Sequence, residues 1–165
     1  MGFRYFDAQA VVDNGLDQDK EYITTPGSER IDLVDNDLNP KVLGYCELLY
    51  IKDPFEFYYL GWLVTRVPNK DRAPGQLSIG EQVLDKANDF IDSRGAAGIL
   101  CNTISENIPV HSIYQRHGWV ALNTSHNSKD RLWMSRNLPA QASPEIMSKA
   151  IEYIKKVDPY FQKGH

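Results

Sequence analysis

Residues 58–101 switch between two hydrophobic periods in an order that few folds can accept. Tyr58–Val67 (Tyr-Tyr-Leu-Gly-Trp-Leu-Val-Thr-Arg-Val) is rich in aromatic and β-branched residues over the length of one strand. Pro68 ends it, and a polar loop with Arg72, Pro74 and Gly75 follows. Apolar positions 79, 83, 84, 87, 90 and 91 then form one helical stripe that stops at Gly95. Ala96–Cys101 is a short continuous apolar run, the pattern of a strand buried on both faces. Strand, helix, strand over this span predicts a βαβ unit with parallel strands and a right-handed crossover.

A second helix follows at once. In Asn107-Ile-Pro-Val-His-Ser-Ile-Tyr-Gln-Arg-His-Gly-Trp119, residues Asn107, Val110, Ile113, Tyr114 and His117 share one face at helical spacing. Pro109 suits a first turn, where its missing N–H has no partner to lose. Gly118 is placed to end the helix in the left-handed conformation.

The βαβ unit presents backbone N–H groups at a helix N-terminus, where the helix dipole also favours an anion. Gly75, Ser78 and Gly80 are small enough for a phosphate to approach the backbone, and Arg72 adds positive charge. No Lys-Ser/Thr follows the glycines, so a nucleoside-triphosphatase loop is disfavoured. The glycine spacing also fails the dinucleotide fingerprint. A diphosphate held by backbone amides fits better.

Here residues 30–138 resemble the GNAT superfamily of acyl-CoA-dependent N-acyltransferases. The first family motif ends a strand in a Val-x-Pro-like turn and opens a helix with Arg/Gln-x-x-Gly-x-Gly/Ala. Arg66-Val67-Pro68 and, after extra residues, Gly75-Gln76-Leu77-Ser78-Ile79-Gly80 are similar to it, with Ser78 at the first glycine and Gly75 where the basic or glutamine position falls. The second motif, Asn-x-x-Ala-x-x-Leu-Tyr-x-x-x-Gly-Phe, resembles Asn107, Val110, Ile113, Tyr114, Gly118 and Trp119 in order and spacing. The resemblance implies a central mixed, mostly antiparallel sheet of α/β (α+β) type, with a parallel βαβ cofactor unit, flanking helices and acetyl-CoA as cosubstrate.

Carried over residue by residue, it implies that backbone groups of Val64, Thr65 and Arg66 pair with the pantetheine arm. Amides from Gln76 to Glu81 (Gln76, Leu77, Ser78, Ile79, Gly80, Glu81) would cradle the diphosphate, with Arg72 and Gly75 nearby. Asn107 would bond to the pantetheine or to backbone, and Tyr114 would stand beside the CoA sulfur. A phenol, with a reference pKa of about 10, is protonated at neutral pH and can give its proton to a leaving thiolate. A strand amide near Thr65 would hold the oxyanion. Attack by the amine would be direct, since no nucleophile is placed for a covalent intermediate. Some relatives that acetylate protein N-termini carry a glutamate base five residues before the motif asparagine. That place is Asn102 here, so the base is elsewhere, or is a water chain, or the amine arrives already neutral; Glu47, Glu106 and His111 are the candidates by position. A non-catalytic acyl-CoA-binding or protein-interaction module is the alternative to an enzyme.

The rest of the chain fits this frame. At 165 residues and 42% apolar it has the core of one domain that needs no staples. Cys46 and Cys101 stand alone in expected strands as small hydrophobes. His117 and His126 have no second ligand at metal spacing, so no metal is expected. No membrane span or signal peptide is visible, and a cytoplasmic protein is expected. Glu29–Asp35 and Lys41–Lys52 read as antiparallel strands, and Trp119–Leu122 and Arg131–Leu138 as a later hairpin. Ser143-Pro-Glu145 opens an appended helix to about Val157, which could cover the sheet or make a homodimer contact; covering the sheet is favoured. Residues 1–28 are divergent, for Asp13–Glu21 is polar and shows little stripe. Residues 1–40 carry nine acids against three bases, which would attract a cationic acceptor such as a polyamine, an aminoglycoside or a lysine side chain. The net charge of −4 disfavours nucleic acid.

Overall fold

The computed structural model describes residues 1–35, 38, 40–66, 77–96, 98–105, 108–138 and 142–162. In chain order they form β1 (Gly2–Phe6), α1 (Ala8–Asp13), β2 (Glu29–Val34), β3 (Val42–Ile51), β4 (Phe57–Thr65) and α2 (Ile79–Ser93). Then come β5 (Ile99–Ile104), α3 (Ile108–Arg116), β6 (Val120–Ala121), β7 (Arg131–Arg136), α4 (Pro144–Val157) and α5 (Pro159–Gln162). The seven strands make one sheet in the order β1-β2-β3-β4-β5-β7-β6. Only β4 and β5 run parallel, across the α2 crossover; every other neighbouring pair is antiparallel. The mixed sheet and its parallel unit are those expected from the sequence.

Helix ends follow local chemistry. Ser78 caps α2 in a reciprocal box with Glu81, and Gly95, at φ 67°, takes the left-handed turn beyond its C-terminus. Gly118, at φ 88°, does the same for α3. Ser143 caps α4, followed by Pro144 and the acid Glu145. The second strand of the parallel unit is displaced from expectation: it starts at Ile99, not Ala96, and runs on to Ile104. Gly98 explains the start, because its backbone lies against the Arg136 and Asn137 carbonyls, where a Cβ would meet oxygen at 3.0 and 2.8 Å. The extension includes Asn102 and Thr103, polar residues that no apolar run could announce.

The two faces of the sheet bury separate cores. One packs α2 and α3 (Val83, Leu84, Ala87, Ile91, Tyr114) on Ile31, Leu33, Cys46, Leu48, Leu60, Ile99 and Met134. The other packs α4 (Met147, Ala150, Ile151, Ile154) on Leu49, Ile51, Phe57, Tyr59, Leu100 and Trp133. The appended helix therefore covers the sheet. Strand alternation assigns β4 residues Tyr58 and Leu60 to the first face and Phe57 and Tyr59 to the second.

The N-terminus supplies the edge strand β1 and the six-residue α1, capped by Asp7 Oδ1 on Ala10 N at 2.8 Å. Neither was expected from the residues themselves. Among residues 14–28 there is no helix, in keeping with the missing stripe, but Thr24, Thr25 and Ser28 are buried against the sheet.

Candidate active site

The site begins with one irregularity. Across β3, Glu47 pairs with Trp62 but Leu48 pairs with Leu60, so Gly61 is an extra residue in β4. A bulge inverts the side to which successive backbone groups point. Before it, β4 pairs with β5 through residues 58–60. After it, Arg66 N donates to Leu43 O at 2.8 Å, so by antiparallel alternation Trp62, Val64 and Arg66 face β3. The groups of Leu63 and Thr65 face the other way, where β5 has already left to pair with β7 as far as Ile104. The two parallel strands splay, and an unpaired strand edge lines the gap.

The gap is a cleft of about 410 Å³ that passes through the sheet. On the α2/α3 side its wall includes Leu63, Thr65, Ser78, Gly80, Val110, Ile113 and Tyr114. On the α4 side it includes Tyr59, Trp62, Asn102, Arg131, Asp158 and Tyr160. Thr65, Ser78, Gly80 and Tyr114 thus stand together in one wall. Val64 and Arg66 direct their backbone groups to β3 instead, and Leu63, which the sequence reading passed over, takes their place at the edge. Arg72, Gly75, Gln76 and Asn107, with Pro68 and Glu106, lie outside the described residues.

The N-terminus of α2 holds a carboxylate of its own. Glu81 N donates to Ser78 Oγ at 3.1 Å and Ser78 N donates to Glu81 Oε2 at 3.3 Å. Arg116 grips Glu81 Oε1 at 2.7 Å. Burial opposes the Glu81 charge, but Arg116 and the Ser78 donors outweigh it and hold the carboxyl down at about 2. Two amides of the expected cradle are committed to this box. The Ser-x-x-Glu spacing at 78–81 was the sequence signal for it. Ile79 fills another part: a Cβ at Gly44 would stand 2.7 Å from its side chain, so only glycine lets α2 approach β3 so closely.

Tyr114 is 5% exposed, edge-on to Trp119 with ring centroids 5.1 Å apart, and its hydroxyl is hydrogen-bonded to the Cys101 side chain. Burial first, then the Cys101 neighbour, pushes the phenol well above its usual value. It is a proton donor at every working pH. Burial also pushes the Cys46 and Cys101 thiols up to about 12, so neither is a thiolate nucleophile.

Three buried polar atoms have no hydrogen-bond partner among the described residues: Tyr45 Oη, Glu47 Oε2 and Asn102 Oδ1. All belong to the α4 face. Glu47 is 2% exposed, directly across from Trp62, and only Oε1 is held, by the Thr24 hydroxyl at 2.8 Å. Burial drives its carboxyl up; Thr24 and Arg30 oppose this and leave it at about 7. Asp158, at the C-terminus of α4, is also buried, yet it accepts the Tyr59 hydroxyl at 2.6 Å and Tyr160 N at 2.9 Å. Burial and that carboxylate push the Tyr59 phenol well above its usual value.

His126 and Ser148 form a second pair, 2.8 Å apart. Lys155 Nζ sits 3.2 Å from His126 Nδ1, and lysine has only donors, so Nδ1 accepts and Nε2 carries the proton. The imidazole therefore donates to Ser148 and cannot activate it as a nucleophile. The acid-rich residues 1–40 do not line the cleft. Asp19 pairs with Arg66, Asp32 with Arg30 and Glu29 with Arg94, while Asp7 and Asp35 bond to backbone amides.

This fold, a mostly antiparallel seven-stranded sheet with one parallel pair across a crossover helix, has many counterparts among solved structures. An IAA acetyltransferase from Bacillus cereus is 13% identical, with a TM-score of 0.56 over 83% of this chain and 99% of that one. The fold is that of the GNAT acyltransferases. The NatC complex bound to Gag peptide and CoA is 16% identical, with a TM-score of 0.54 over 84% of this chain and 100% of that one. The ribosomal-protein-S18-alanine N-acetyltransferase of Escherichia coli is 15% identical, with a TM-score of 0.54 over 78% and 77%. No protein-family model and no curated protein sequence matches the chain. Among the described residues no helix is long and apolar enough to cross a membrane.

Proposed function

We propose that the protein is an N-acyltransferase that takes an acetyl group from acetyl-CoA on the α2/α3 side of the cleft and passes it to a primary amine arriving from the α4 side. One observation carries this reading: the cleft passes through the sheet along the unpaired edge of Leu63 and Thr65. The pantetheine arm is an extended chain with amides of its own and can join such an edge as an added strand does. The solved GNAT-fold structures bound to CoA support that choice of cosubstrate. The thioester supplies the activated acyl carbon.

The chain's own groups divide the remaining work. The amides of Leu63 and Thr65 stabilise charge developing on the acyl oxygen. Tyr114 gives its proton to the departing sulfur. Glu47 receives the amine's proton, directly or through one water, because it is the buried carboxylate with an uncommitted oxygen and a pKa of about 7. Asp158, tied to Tyr59 and Tyr160, stands in the wall on the side from which the amine arrives. Two carboxylates on one face thus have different surroundings.

Of the two non-catalytic alternatives, an acyl-CoA-binding module and an interaction module, only the second is favoured by a specific feature, the Glu81 carboxylate at the α2 N-terminus, where a diphosphate would be repelled. Mixing the protein with acetyl-CoA and an amine library while following thiol release separates the enzyme from both. The enzyme reading expects amine-dependent release that Tyr114→Phe depresses while acetyl-CoA binding stays nearly intact. Binding without release for any amine would favour the acyl-CoA-binding module.

A further inference from the structure

Every described arginine except one has a carboxylate partner within 4 Å: Arg4 and Arg30 on Asp32, Arg66 on Asp19, Arg94 on Glu29, Arg116 on Glu81 and Arg136 on Asp92. The exception is Arg131, and it stands in the wall of the cleft. Its side chain is held in place: Nε donates to the Tyr160 hydroxyl at 2.9 Å and the guanidinium lies over the Tyr160 ring, 4.4 Å from its centroid. That leaves the two terminal nitrogens, a planar fork suited to an oxyanion, without an acid partner among the described residues. Arg131 and Tyr160 also line an adjoining pocket of about 560 Å³ that contains Lys155 and His126. Burial and the Lys155 charge push His126 below its usual value, so it does not compete as a cation. Asp130 is the one acid in that pocket; it is exposed and makes no ion pair with Arg131. The floor is the stacked pair Trp133 and Phe161, with planes 12° apart.

We propose that Arg131, positioned by Tyr160 and supported by Lys155, reads an oxyanion on the acceptor, so that the amine to be acylated belongs to a molecule also carrying a carboxylate or phosphate. This rests on the acyltransferase reading of the same cleft. An acceptor of this kind would place its ammonium toward Asp158 and Glu47 and its anion toward Arg131, using both signs of charge that the wall presents. A polycation would meet the unpaired Arg131 and Lys155 at the same mouth.

The test uses matched acceptors. Glycine, β-alanine and longer ω-amino acids are compared with alkylamines of equal length, and phosphoethanolamine with ethanolamine, each with acetyl-CoA. The expected result is a kcat/KM at least tenfold higher for one anionic series than for its neutral counterparts. Arg131→Gln should bring that ratio close to one through a raised KM, Arg131→Lys should retain part of it, and Arg131→Glu should reverse it. The series that responds identifies carboxylate or phosphate. Preference of the wild type for neutral or polycationic amines, or a ratio indifferent to Arg131, would overturn the proposal. If no amine is acetylated at all, NMR titration of the same anionic amines without acetyl-CoA decides separately. Binding lost in Arg131→Gln would uphold the anion site while the acyltransferase reading fails; no binding, or binding indifferent to Arg131, would overturn the site as well.

Discussion

The α2/α3 face and the α4 face of the sheet present opposite cases of how a chain builds a working surface. The first is assembled from consecutive elements, β4-α2-β5-α3, and its chemistry sits at the ends of those elements: Ser78 and Glu81 at one helix start, Tyr114 in the next helix, the strand edge between them. The second is assembled from residues scattered over the chain. Thr24, Glu47, Tyr59, Arg131, Asp158 and Tyr160 meet only because β3, β4, β7 and the α4–α5 end share one face. The first face is nearly satisfied internally, down to a carboxylate that caps its own helix. Among the described residues, the second retains buried groups with unused hydrogen-bonding capacity, Tyr45 Oη, Glu47 Oε2 and Asn102 Oδ1, together with Arg131, which has no carboxylate partner there. Under the acyltransferase proposal, the second face is the one that meets the amine and the first the one that meets the thioester.

That contrast can be broken most severely at Glu47. Replacing Glu47 by Gln should lower turnover by about 10²–10⁴-fold while leaving acetyl-CoA affinity unchanged in calorimetry. The wild-type kcat/KM should also rise with pH through a limb near 7, set by the Glu47 carboxyl, and the variant should lose that limb. A variant that keeps both rate and limb would remove Glu47 from the reaction. Tyr114→Phe acts from the opposite face and should cost about 10²-fold in turnover. Its effect should shrink with acyl donors whose leaving group needs no proton, a dependence that a purely structural role for the ring would not give.

Stability should separate the faces as well. Ile151, wholly buried on the inner face of α4, should cost about 2–5 kcal/mol on replacement by Ala, measured by urea unfolding. A loss within the range of surface substitutions would mean that α4 does not seal the second core. Glu47 bears on stability with a definite sign. Its folded pKa of about 7 lies above the ordinary 4.5, so the native chain holds that proton more tightly than the unfolded chain. Native stability should fall as pH rises from about 4.5 to 7, and Glu47→Gln should be the more stable protein above that window, by roughly 1–3 kcal/mol. Greater stability bought with lost activity is the signature of a carboxylate kept buried for function. The smallest effect belongs to the first face: Ser78→Ala opens the capping box and should cost about 0.5–2 kcal/mol.

The sequence made the first face largely readable because its information is local. Helical stripes, Gly95 and Gly118 as terminators, and the Asn107–Trp119 spacing all refer to neighbours a few residues away. Even the Ser78–Glu81 box has its signal in the sequence, in the Ser-x-x-Glu spacing. The bulge at Gly61 was hidden, since a glycine within a strand pattern does not say which way the following amides turn. That one residue decides that Leu63 and Thr65, and not Val64 and Arg66, border the cleft. The second face had no spacing to read. Glu47 is one of three candidates by position; its place on the α4 face, with Oε1 held by Thr24, separates it from His111 on the other side of the sheet, and Glu106 lies outside the described residues. The acid-rich N-terminus suggested an acceptor wall, but its carboxylates are tied to Arg30, Arg66, Arg94 and backbone amides. Composition counts charges and does not pair them.

The most direct measurement is a calorimetric titration with acetyl-CoA, desulfo-CoA and pantetheine, which lacks the diphosphate. Micromolar binding of acetyl-CoA and desulfo-CoA, much weakened when the diphosphate is absent, is the predicted result; no binding of any of them at near-millimolar concentration would contradict the assignment of the splayed strands as a thioester site.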